Sequence, residues 1–164
     1  MTFRKVLLLV VCALSFPVLP VQGQELSRVL IQRGERYLAM GKYEAAIANY
    51  SKVIACCEGT PDGAEAHNDL GVTYMRMGRT RQAHAEYEKA LEINGYPLAR
   101  FNLAKALRQE YERTGDEAAR VRAFKEFELF SQYLKRGEEL PVVVSYQKEE
   151  IEAYVSEALE SLGK

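Results

Sequence analysis

This sequence predicts an all-α fold built from repeated helical hairpins, and three observations carry that reading. From Ala64 to Gly95 the apolar side chains recur in steps of three, four and seven, the period of a helix rather than a strand. Small residues (Gly71, Ala83, Ala90) alternate with large ones (Leu70, Tyr74, Tyr87), which lets two helices approach closely and interlock. The pattern also returns: Gly34, Tyr37, Gly41, Ala46 and Tyr50 stand 37 residues before Gly71, Tyr74, Gly78, Ala83 and Tyr87.

The second unit is the clearest. Leu70, Gly71 and Tyr74 line one helix, Met77-Gly78-Arg79 makes the turn, and Ala83, Tyr87, Ala90 and Leu91 line the return helix. In the first unit Val53 and Ile54 take the places of Ala90 and Leu91, and Arg33 stands where the second unit has Leu70. An opening helix can expose that position, because nothing precedes it. Between the units, Gly59 suits a helix end, Thr60 a cap, Pro61 the first helical position and Asp62 the positive helix terminus.

The third unit begins near Pro97, with Leu103, Ala104 and Leu107 in the places of Leu70, Gly71 and Tyr74. The gap from Leu107 to the next matching small residue, Ala123, is seven residues longer than that from Tyr74 to Ala83. Split over two antiparallel helices, the excess adds about one turn to each. The reading is an elongated hairpin over 97–113 and 116–135, turning at Thr114-Gly115-Asp116. Its return helix carries Phe124, Phe127, Phe130, Tyr133 and Leu134, which are large enough to need a cover. A final helix over 147–162 supplies one: Ile151, Tyr154, Val155, Ala158, Leu159 and Leu162 form a stripe, and Lys148, Glu149, Glu152, Ser156, Glu157 and Glu160 the opposite face.

The spacing of Leu70-Gly71, Tyr74, Ala83, Tyr87 and Ala90 resembles the tetratricopeptide repeat, a helix–turn–helix unit of about 34 residues. The family's first-helix tryptophan is His67 here, and its closing proline comes late, as Pro97. The resemblance implies a tetratricopeptide-type α–α superhelix: three hairpins within 24–136 (27–60, 64–96 and an elongated 97–136), a connector over 137–146 and a capping helix over 147–164. It implies a protein-binding module. Its groove positions would be Arg28, Ile31, Glu35 and Leu38, then Glu65, Asn68, Val72, Met75 and Arg76, then Leu98, Phe101, Lys105 and Arg108. Ile31, Val72, Met75 and Phe101 lie off the packing stripe and read as an exposed apolar patch. Arg76, Lys105 and Arg108 add positive charge at one end, so the groove suits an apolar segment with an acidic flank. Some family members clamp a C-terminal carboxylate with Lys and Asn. Ile31 and Glu35 hold those first-unit places here and argue against such a clamp.

Residues 1–23 have the organisation of a cleaved export signal. Arg4 and Lys5 precede the apolar run Val6–Phe16, and Val21-Gln22-Gly23 offers modest side chains for cutting after Gly23. The expected location is the bacterial periplasm or outside the cell, an uncleaved anchor being the alternative. Export would leave Cys56 and Cys57 in an oxidising compartment. They are adjacent and form no C-x-x-C motif. They read as one packed cysteine and one at a helix end, with an intermolecular disulfide or a redox or metal pair as the sharper alternatives.

A formal charge of −1 offers no broad field for nucleic acid or anionic membrane. His67 and His84 have no cysteine or carboxylate at ligand spacing, and no phosphate-binding loop, nucleophile elbow or zinc-protease motif occurs. The expectation is a non-catalytic adaptor or scaffold without cofactor or metal. It binds a protein or peptide partner, with self-assembly through the repeat ends as the competing class.

Overall fold

The computed structural model describes residues 21–137, 140 and 147–164, with side chains from Glu25 onward. Residues 1–20 of the expected leader and the expected apolar run Val142–Val144 lie outside the described residues. Among the described residues seven helices follow one another: α1 (Val21–Ala39), α2 (Tyr43–Cys57), α3 (Pro61–Arg76), α4 (Thr80–Asn94), α5 (Pro97–Thr114), α6 (Glu117–Lys135) and α7 (Lys148–Leu162). None of the described helices is long and apolar enough to cross a membrane.

Three antiparallel hairpins, α1–α2, α3–α4 and α5–α6, stack in chain order, and α7 packs against α6. The first helices of successive hairpins are also neighbours, α1 against α3 and α3 against α5. This is an all-α superhelix, as the repeated pattern predicts. Helix α1 starts earlier than the unit boundary at Ser27, because nothing between Pro20 and Gly41 ends a helix. The third hairpin is longer, 18 and 19 residues against 16 and 15 in the second.

The first two turns are copies. Gly41 and Gly78 adopt φ of 70° and 74°, a left-handed conformation that glycine reaches without a Cβ clash. In each, the glycine N–H donates at 3.0 Å three residues back, to Leu38 or Met75. The following N–H donates at 2.9 Å to the carbonyl of Tyr37 or Tyr74. The third turn differs: Gly115 closes α5 on Tyr111, and the Asp116 carboxylate caps α6 by accepting from the Ala118 N–H at 2.9 Å.

Close approach inside the first two hairpins depends on glycine. A Cβ on Gly34 would stand 2.5 Å from Tyr50 Cε1, and one on Gly71 would stand 2.5 Å from Tyr87 Cε1. Each tyrosine ring therefore lies flat on the backbone of the facing helix. At the junction of units Thr60 caps α3 by accepting from the Gly63 N–H at 3.2 Å, with Pro61 opening the helix.

The third hairpin uses bulk instead. Phe127 and Phe130 are fully buried, and Phe101 packs on them with ring centroids 6.3 and 5.1 Å away. Tyr154 of α7 closes the cluster, edge-on to Phe101 at 5.8 Å. Ile151, Val155, Ala158 and Leu162 are buried, while Lys148, Glu149, Glu152, Ser156, Glu157 and Glu160 are exposed. Helix α7 covers the third hairpin with its apolar face and turns a polar face outward, as a capping helix would.

Candidate interaction groove

Helices α1, α3 and α5 lie side by side, so residues facing away from their own hairpin partners share one surface. Val72 and Met75 are half-buried on it, and Glu35 and Arg76 are exposed. Three expected groove positions are not free. Ile31 is 1% exposed and Leu38 8%, and both belong to the core that α1 shares with Ala66 and Leu70 of α3. Asn68 is 4% exposed, and its Oδ1 accepts from Asn102 Nδ2 at 2.9 Å, tying α3 to α5. These side chains point into the seam between adjacent first helices. The helical period alone does not separate a seam position from a groove position.

The third unit's contribution is engaged as well. Phe101 is half-buried in the aromatic cluster, and Lys105 Nζ stands 5.2 Å above its ring and 5.6 Å above that of Tyr154. Arg108 donates to Glu112 at 2.8 Å and to Glu157 of α7 at 3.1 Å, with its guanidinium 5.4 Å from the Tyr154 ring centre. These contacts turn Lys105 and Arg108 toward α7. Two of the three cations expected to meet an acidic flank, Lys105 and Arg108, are thus engaged, while Arg76 is exposed and donates to the Leu38 carbonyl at 3.3 Å. A cleft of 290 Å³ remains between α5 and α7, lined by Leu98, Phe101, Asn102, Lys105, Ile151 and Tyr154 among others. A second cleft, of 380 Å³, opens between α6 and α7 around Leu134, Val155 and Leu159 and takes no residue from α1, α3 or α5.

The middle of the surface is acidic. Arg28 of α1 pairs with Glu65 at 2.7 Å and with Asp62 at 3.0 Å, and Ser27 donates to Asp62 as well. Beyond that pair, Glu35 and Asp69 approach Glu65, so that one carboxylate oxygen from each lies within 4.8 Å of the others. Burial, then the charges of Glu65 and Glu35, hold the Asp69 carboxyl well above the usual carboxylate range. Burial also raises Glu65, although Arg28 opposes it. Asp69 is absent from the positions expected from sequence. A signal was there: Glu65 and Asp69 are like charges four residues apart on one helix face, an arrangement that destabilises a helix unless something offsets it.

The histidines pack rather than form a reactive pair. His67 is buried with Nδ1 2.6 Å from Glu86 Oε2. Burial opposes ionisation of Glu86, but the bonds from His67 and Lys89 outweigh it and lower its pKa. His84 lies 3.9 Å from Glu110, and burial lowers its pKa despite that carboxylate. Each histidine thus meets one carboxylate that the linear spacing does not reveal. The Cys56 and Cys57 sulfurs stand 2.7 Å apart at the end of α2, Cys56 exposed and Cys57 half-buried. The bond from Cys56, followed by burial, pushes the Cys57 thiol up to about 11, away from the thiolate that redox chemistry and metal binding need.

With this geometry in place, the comparisons with known proteins are direct. A family model described as tetratricopeptide repeat matches residues 25–94, the first two hairpins. The matched segment is therefore of the tetratricopeptide-repeat type. The fold extends past the matched segment. It is similar to a solved structure of the first tetratricopeptide-repeat domain of Spaghetti (RPAP3) bound to the HSP90 peptide SRMEEVD. That likeness has a TM-score of 0.58 at 19% identity, over 83% of this chain and 94% of the other. The comparison with curated proteins found no match. In these tetratricopeptide repeats His67 fills the first-helix position where the family pattern has tryptophan.

Proposed function

We propose that this protein is a non-catalytic adaptor of the bacterial periplasm or cell envelope, holding a peptide or a partner subunit on the surface formed by its first helices. The observation that carries the reading is the surface of α1 and α3. There Glu35, Val72, Met75 and Arg76 remain accessible or half-accessible in a tetratricopeptide-repeat superhelix, while the core beneath is closed. The related fold of Spaghetti (RPAP3) holds a peptide, which supports the same use here. Export rests on the Arg4-Lys5 pair and the apolar run that follows it.

Photoreactive side chains placed at Met75 and, as a control, at exposed Lys125 on α6 test the adaptor. Crosslinking in the envelope fraction should capture a partner from Met75 alone. Capture from Lys125 alone, or from neither position, would remove the reading. An intact mass of the mature chain that lacks residues 1–23 is expected, and a mass that includes them would remove cleaved export.

One observation favours self-assembly as a second reading. Leu26 and Val29 of α1 and Met40 just after it are exposed apolar side chains at the first unit. A solution mass that rises with concentration, and falls back when Val29 and Met40 become Ser, would support it.

A further inference from the structure

The acidic centre of the groove concentrates negative charge. Glu35 on α1 and Glu65 and Asp69 on α3 converge from two helices that pack against each other, which brings one carboxylate oxygen of each within 4.8 Å of the others. Arg28 offsets part of the charge from one side, through Glu65. Asp69 is left with a single donor, Asn68 Nδ2 at 3.1 Å, and its Oδ2 is shielded from water without a hydrogen-bond partner.

A second group points the same way. Tyr50 is 0% exposed, and its ring lies flat against Gly34, the residue before Glu35. Its hydroxyl is buried with no hydrogen-bond partner among the described residues. After burial itself, the charges that act on that hydroxyl most are those of Asp69 and Glu35. A fully buried hydroxyl left unpaired beside carboxylates is costly unless something completes the set. A cation with several donors would complete it.

We infer that Glu35, Glu65 and Asp69 receive a basic side chain of the bound peptide, a lysine ammonium or an arginine guanidinium. An ammonium carries three N–H donors; at a hydrogen-bond length of about 2.8 Å and tetrahedral angles its acceptors lie about 4.6 Å apart. Oxygens gathered within 4.8 Å of one another are close enough to share one such ammonium. The cluster already shows this affinity internally, where the Arg28 guanidinium bonds Glu65. A calcium ion is served less well: it takes six to eight oxygens, and one of Glu65's is occupied by Arg28. The inference rests on the proposed use of this surface for peptide binding and reverses the polarity expected for its ligand.

The test uses the full mature chain and four pools of fluorescent octapeptides. Each is acetylated and amidated so that no terminal charge competes. The central residue is fixed as lysine, arginine, norleucine or glutamate, and the other positions are randomised. The lysine and arginine pools should bind about tenfold more tightly than the norleucine pool, the size of one charge-assisted hydrogen bond. Glu35→Gln and Asp69→Asn should each remove about that preference. Both variants should remain folded, since Glu35 is exposed and asparagine matches aspartate in shape.

Binding of the norleucine or glutamate pool as tightly as the basic pools would overturn the cation site while leaving the groove intact. A lysine preference that survives both substitutions would overturn its assignment to these residues. No binding by any pool would overturn the groove and the site together. A melting temperature raised by calcium alone in the wild type but not in Asp69→Asn, without a lysine preference, would replace the peptide with a divalent ion.

Discussion

The first two hairpins and the third are variants of one unit, yet they solve the packing problem in opposite ways. In the first two, a tyrosine lies on a bare glycine backbone, Tyr50 on Gly34 and Tyr87 on Gly71. In the third, Ala104 replaces that glycine, and the space between longer helices is filled by Phe101, Phe127 and Phe130 under Tyr154. The glycine solution is thin and leaves the outer surface of α1 and α3 available, with its acidic centre. The aromatic solution needs a lid, and α7 provides it by engaging Phe101, Lys105 and Arg108. The difference teaches that a repeat can seat a further single helix by enlarging its core. The groove residues it would otherwise present then become the seat of the cap.

Four substitutions would break or sharpen that contrast. The largest effect belongs to Phe127→Ala. Removing a fully buried ring from the third core should cost about 3–5 kcal/mol, read as a shift of the denaturation midpoint. A loss under 1 kcal/mol would mean that the aromatic core is not what holds the third hairpin. Next is Gly71→Ala. In a helix this change ordinarily gains up to about 1 kcal/mol, but here the new methyl meets the Tyr87 ring at 2.5 Å. Overpacking should win, for a net loss of about 1–3 kcal/mol.

Asp69→Asn should have the opposite sign and stabilise the free protein by about 1–2 kcal/mol at neutral pH. The folded state holds the Asp69 proton more tightly than the unfolded chain does, because burial and the charges of Glu65 and Glu35 raise its pKa. Wild-type stability therefore falls as pH rises above the unfolded value of 3.8, until the folded carboxyl has also ionised. The variant lacks that loss. Its advantage should vanish below pH 3.8 and grow above it. Glu35, Glu65, Tyr50, Tyr96, Arg28 and Arg76 surround this region and are common to both proteins. Chemical denaturation from pH 3 to pH 8 reads the trend, and an advantage that shrinks as pH rises would contradict it. The smallest effect is Thr60→Ala, which removes the cap of α3 and should cost about 1 kcal/mol.

The fold was almost fully legible because each element is local. Gly41, Gly78 and Gly115 mark the turns, Thr60 and Pro61 open α3, and the spacing from Leu107 to Ala123 reveals the longer third hairpin. The candidate site was less legible because it depends on how units lean on one another. Ile31 and Asn68 sit at positions that face outward on an isolated hairpin and inward once a neighbour is stacked. Asp69 gains its character from burial and from the charges of Glu65 and Glu35, and only the superhelical stack brings Glu35 near. Lys105 and Arg108 are charges that α7 claims, and their partner Glu157 lies 49 residues from Arg108.

The central claim is that the molecule divides into an open pair of hairpins and a third sealed by α7. Amide hydrogen exchange on a chain ending at Arg136, compared with the full protein, tests it most directly. Without α7 the amides of α5 and α6 should lose protection and the chain should associate through its uncovered aromatic cluster, while α1 to α4 exchange as before. Unchanged protection in α5 and α6, or an equal loss in every helix, would contradict the division.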